Sequence, residues 1–163
     1  MSDTVQENWP SEVREMVQSP LSILLERAGE LTQRTKGQLV GEVTPRERED
    51  DRVELQFDMV VPDLQNYRHR IMTVSHRPLL PYPAVIDAEL FRSGVLGSLQ
   101  LFIEHQMIVG GEGKKPANRA DSDEEFLDLV KKVLYSSHVR SVSQSLILRV
   151  AEERKRVATP ATP

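Results

Sequence analysis

Between Arg52 and Val61 the chain alternates without interruption. Val53, Leu55, Phe57, Met59 and Val61 share one parity, and Arg52, Glu54, Gln56, Asp58 and Val60 share the other. A period of two over that length specifies a strand with one face turned to a core. A helix would scatter the same side chains around its circumference. The rest of the fold must therefore cover one side of this strand and pair its edges.

The flanking sequence supplies those pairs. Pro62-Asp63-Leu64-Gln65-Asn66 has turn chemistry, and Tyr67 to His76 reads as the returning strand. With Val61 opposite Tyr67, Met59 faces His69, Phe57 faces Ile71 and Leu55 faces Thr73. On the other face Asp58 then opposes Arg70, a favourable cross-strand pair. A slip of one residue would put Arg70 on the core side. Upstream, Leu39 to Thr44 reads as a first strand with a bulge at Gly41, followed by a solvated loop from Pro45 to Asp51. Downstream, Pro78, Pro81 and Pro83 break the chain before a strand over Ala84–Leu90. Leu99, Leu101, Ile103, Met107 and Val109 give a further strand, although Phe91, Val95, Leu99 and Phe102 also suit a helix. Gly110 to Asp121 is expected to be a long loop.

Helical spacing appears only at the ends. Ser19 followed by Pro20 is a cap with proline at the first helical position, and Gly37 supplies a stop. Between them Leu21, Leu24, Leu25, Ala28 and Leu31 form a leucine stripe. Ser122 with Glu125 makes a capping box ahead of Phe126, Leu129, Val130, Val133 and Leu134. Ser136-Ser137 breaks and recaps the chain, and Val139, Val142, Leu146 and Val150 carry a last helix to about Arg156. The order predicts an α+β fold: an antiparallel sheet of four to five strands, with one N-terminal and two C-terminal helices packed on one face. Alternating βαβ units are absent, which excludes the doubly wound nucleotide folds. Residues 1–18, with Trp9, form a partly ordered N-terminal arm, 19–156 a single domain, and 157–163 a disordered tail.

Composition removes much of the available chemistry. The chain of 163 residues has no cysteine, so disulfides, thiolate nucleophiles and cysteine metal sites are excluded. The acidic N-terminus is no secretory signal, and no apolar run approaches a membrane span, so cytoplasm is the expected location. A net charge of −4 argues against nucleic-acid binding despite the short clusters Arg68/Arg70/Arg77 and Arg154/Lys155/Arg156. The segment from Gly110 to Lys115 is no phosphate loop, because the required earlier glycine is Ile108 and no hydroxyl follows the lysine. Ser141, Ser143 and Ser145 alternate inside a helix and cannot act together. Asp121, Asp123, Glu124 and Glu125 suit a helix N-terminus rather than a calcium loop. No metal and no cofactor are expected.

The remaining feature is a surface. By parity, Val60, Met72 and Val74 lie on the sheet face away from the helices, among Asp58, Arg68, Arg70 and His76, and Phe102 and Ile108 join them. An apolar centre rimmed by charge has the composition of a contact surface, unless the N-terminal arm or residues 91–98 cover it. The expected function is a non-catalytic interaction or accessory protein. It would bind a protein partner, or a second copy of itself, through Val60, Arg68, Arg70, Met72 and Val74. An arginine at Met72 should then abolish association and leave the fold intact. The alternative is a small-ligand-binding or hydrolytic domain in which His69 and His105, both at core-side parity, meet a hydroxyl such as Tyr67 or Thr73.

Overall fold

In the computed structural model, which describes residues 17–48, 51–92 and 115–158, the alternating segment is β2 (Arg52–Val61). It lies between β1 (Val40–Arg48) and β3 (Tyr67–His76). β4 (Ala84–Ala88) and β5 (Arg119–Ala120) complete a five-stranded antiparallel sheet with its strands in chain order. Helix α1 (Pro20–Arg34) precedes the sheet, and one helical turn, α2 (Glu89–Arg92), follows β4. α3 (Asp123–Leu134) and α4 (Ser137–Ala158) close the described chain. The fold is α+β, as its patterning requires. Trp9 and most of the arm, the expected strand over 99–109, the Gly110–Lys114 stretch and the tail from Thr159 lie outside the described residues. Val157 and Ala158, expected in the tail, are the last turn of α4.

The core forms between the sheet and the helices. Leu55, Phe57, Met59 and Val61 of β2 pack with Ile23, Leu24 and Ala28 of α1, with Phe126, Leu129, Val130 and Val133 of α3, and with Leu146 and Val150 of α4. Full burial of such a side chain contributes roughly 1.5–3 kcal/mol. In α1 the buried arc is centred on Leu24 and Ala28 and extends toward Pro20 and Ile23, which leaves Leu25 exposed, contrary to the expected stripe. Both helix starts carry the expected serine cap, although Glu125 accepts from the Asp121 N–H at 2.8 Å and so does not close the expected box on Ser122. Ser19 Oγ accepts from Ser22 N–H, and Ser122 Oγ accepts from Glu125 N–H at 3.3 Å. Ser136 Oγ accepts from Val139 N–H at 3.3 Å at the start of α4.

Gly41 makes no bulge. It pairs regularly with Met59, and its missing side chain lets α1 approach the strand. A Cβ there would lie 2.5 Å from Ala28 Cα and 2.6 Å from Ala28 O. The Gly41 N–H donates to Thr32 Oγ1 of the same helix at 3.1 Å. β1 also continues into the expected loop, through Pro45 to Arg48. Among the described residues it is an edge strand whose only strand neighbour is β2, so a proline can face its open side without breaking a ladder bond. Arg48 then pairs with Glu54 at 2.9 Å. β5 is likewise unforeseen, falling inside the expected 110–121 loop. Ala120 pairs with Ala84, and Asn118 Nδ2 donates to Ile86 O at 3.0 Å.

The largest departure is in β3. Val61↔Tyr67, Met59↔His69 and Asp58↔Arg70 pair as the alternation demands. The register then shifts between Phe57 and Asp58, so that Phe57 opposes Met72 and Leu55 opposes Val74. Ile71 is the extra residue of a β-bulge, and beyond it the side chains change face. Met72 and Val74 thus enter the core, at 1% and 0% exposure, and Thr73 turns to the outer face.

Candidate functional site

That bulge removes the apolar centre from the outer face. The expectation that Met72 and Val74 face solvent is corrected: both belong to the core, beside Phe57 and Ile86. Val60 keeps its outer parity, but it is only 3% exposed, between its register partners Val40 and Arg68. None of the three presents a contact surface.

What remains on that face is polar and paired. Arg70 grips Asp58 with two bonds, Nε to Oδ1 at 2.8 Å and Nη2 to Oδ2 at 3.3 Å. Arg68 reaches Glu42 of β1 at 2.7 Å and stands 4.0 Å from Asp58. Asp58 is buried beneath these two half-exposed guanidinium groups. Its hydrogen bond holds the Arg70 guanidinium above the usual arginine value. Nearer the hairpin end, Glu54 accepts from Gln56 Nε2 at 2.7 Å and from Arg48, and these bonds hold its carboxyl below the usual range. The face is a ladder of ion pairs across three strands, and Arg68 and Arg70 already have carboxylate partners. Replacing Asp58 by Asn keeps the shape and removes the charge that Arg70 binds. We expect a loss of about 1–2 kcal/mol in urea unfolding, below the cost of breaking a fully buried pair because Arg70 can rehydrate.

The histidines assemble differently from the expected pair. His105 lies outside the described residues. His69 instead meets His138 at the start of α4, with ring centroids 6.1 Å apart. Burial and His138 hold the His69 ring below the usual histidine value, against an opposing pull from Asp58. Of the two expected hydroxyls, Thr73 turns to the opposite face beyond the bulge and does not join His69, and Tyr67, two residues away on the His69 side of β3, is exposed. Among the described residues no group of three or more metal-ligating side chains comes together.

Three of the acidic residues at the start of α3, Asp121, Asp123 and Glu125, are held by the fold. Lys115 pairs with both Asp121 and Glu125, and Arg119 pairs with Asp121 at 2.9 Å. Asp123 Oδ2 accepts from the Gln18 N–H at 3.2 Å. A groove of about 280 Å³ runs along α3 beside Lys115, Arg119 and Lys132. Two of its three cations are neutralised by those carboxylates.

Among the described residues the most exposed large apolar side chain is Leu79, which lies with Leu80 in the loop from Pro78 to Pro83 between β3 and β4. Leu79 is 93% exposed and Leu80 56%. The loop is braced at its far end. The Tyr82 hydroxyl donates to Gln18 O at 2.7 Å, and its ring meets Phe126 edge-on at 6.2 Å. Burial, with a contribution from Asp123, pushes that phenol up to about 12. By sequence alone Pro78, Pro81 and Pro83 are only chain breakers. The available signal was two adjacent leucines between prolines, a place with no strand or helix face to bury them.

Comparison with protein-family models, curated proteins and solved structures finds no match. Among the described residues no helix is long and apolar enough to cross a membrane.

Proposed function

We propose that this chain is a non-catalytic interaction or accessory module of the cytoplasm that docks a protein partner on the loop Pro78–Pro83. The observation that carries this reading is the exposure of Leu79 and Leu80 on a loop that joins β3 to β4 and is braced through Tyr82 on Gln18 and Phe126. Three prolines restrict the free loop, which reduces the ordering cost of binding. Burying both leucines in a partner's apolar pocket supplies roughly 3–6 kcal/mol before association costs. Arg77, exposed next to the loop, favours an acidic rim around that pocket. Arg68 and Arg70 do not share this contact. Arg70 sits six residues from His76 along β3, roughly 20 Å at the usual rise per residue.

The test is the double substitution Leu79→Asp with Leu80→Asp, against Leu148→Asp on the exposed side of α4 as control. The loop variant should keep its unfolding midpoint, since neither leucine supports the core. In native cells, a photo-crosslinker at Leu80 should capture one partner, and co-purification of that partner should fall at least tenfold in the loop variant alone. Equal recovery from both variants would contradict the proposal. A cross-linked species of twice the chain mass would identify the partner as a second copy.

A further inference from the structure

The ring contact between His69 and His138 joins two elements that are distant in sequence. His69 stands on the core side of β3, opposite Met59, and is half-buried. His138 is exposed on the first turn of α4, where Val139 is buried and the Ser143 hydroxyl lies 3.9 Å from Met59 Sδ. The start of α4 thus meets the β2–β3 hairpin at its Met59–His69 pair, while Arg154, far along the same helix, reaches Asp63 in the connecting turn. Among the described residues neither imidazole has a hydrogen-bond or ion-pair partner.

We propose that the His69–His138 contact is a proton-operated latch, which holds the start of α4 on the hairpin at neutral pH and releases it in acid. The titratable groups acting on His69 are His138 from α4 and Asp58 from β2, with Arg68 and Arg70 flanking it on its own strand. Asp58 is the only carboxylate among them, and both its oxygens are occupied by Arg70. A proton on either ring therefore meets the other ring without a free counter-ion, and two protonated rings repel.

The direction of the pH effect follows. His69 titrates in the folded chain below the ordinary value of 6.5, so the unfolded or opened chain takes up the proton first. The stabilisation is complete above that value and is lost as pH falls through the lowered one. Release would uncover Met59 and the buried face of Val139, an apolar surface that is closed at neutral pH. The latch is independent of the Leu79–Leu80 loop.

The test is amide hydrogen exchange of Ser141 to Ser145, corrected for the intrinsic pH dependence, with imidazole NMR titrations on the same samples. In the natural chain, protection of these amides should fall at least threefold between pH 7.5 and 5.5. In His138→Gln and in His69→Gln it should change less than 1.5-fold, and His138→Gln should move the His69 midpoint upward. Both substitutions are at half-buried or exposed positions. Constant protection in the natural chain would overturn the latch. So would an equal fall in both variants, or a His69 midpoint that ignores His138→Gln.

Discussion

Replacing Gly41 by Val is expected to unfold the protein or to lower its stability by at least about 3–4 kcal/mol, comparable to the largest core substitutions. The cause is steric and sits on the backbone. The new Cβ would lie 2.5 Å from Ala28 Cα and 2.6 Å from Ala28 O, atoms that no rotamer change can move. Relief requires α1 to lift from β1. That movement loosens Leu24 and Ala28 from the core and breaks the Thr32–Gly41 bond. Even Gly41→Ala should be strongly destabilising. Ala28→Gly should not rescue it, because it removes only the 2.8 Å contact with the Ala28 Cβ. Gly29 supplies the contrast: a Cβ there meets nothing within 4 Å. Gly29→Ala, on the exposed side of α1, should add roughly 0.5–1 kcal/mol from helix propensity. Urea unfolding of these four variants checks both signs.

Met72→Arg is the second large effect, and it reverses the expectation drawn from an unbroken alternation. Met72 is 1% exposed and packs in the core with Phe57, Val74 and Ile86. The substitution removes roughly 1.5–3 kcal/mol of apolar burial and forces an unpaired cation into the core, at several kcal/mol more. Against a typical total of about 5–15 kcal/mol, the chain should fail to fold or melt far below the natural protein. Circular dichroism melts settle the point. A variant with a native melting temperature would mean that Met72 faces solvent.

Local signals with short range were readable in the residues themselves. The alternation of Val53 to Val61 placed β2, the Ser19-Pro20 and Ser122–Glu125 caps placed α1 and α3, and the Asp58–Arg70 charge pair chose the right register for the first half of the hairpin. What escaped depended on partners distant in sequence. The bulge at Ile71 lets Ile71 and Met72 both reach the core, and no turn residue or glycine marks it. Pro45 looked like a strand breaker because its place on an edge, where a missing N–H costs nothing, is set by the sheet and not by its neighbours. Gly41 carried a signal, but the reason for it, the backbone of Ala28, lies on another element. The same applies to the candidate surfaces. Parity placed Met72 and Val74 outside because parity cannot register a bulge. His138 could not be paired with His69 without the position of α4. The leucines at 79 and 80 were visible as a motif but carried no period that would have drawn notice.

The central claim is that Ile71 switches the faces of β3 and sends Met72 inward and Thr73 outward. Because the chain contains no cysteine, single thiols report on this without background. The measurement is the rate at which a soluble disulfide reagent labels native Met72→Cys and Thr73→Cys, with Leu79→Cys as the exposed standard. The bulged strand predicts that Thr73→Cys labels within tenfold of Leu79→Cys, while Met72→Cys labels at least a hundredfold more slowly, only through opening of the fold. Rapid labelling of Met72→Cys with protection of Thr73→Cys would contradict the account and restore the unbroken alternation.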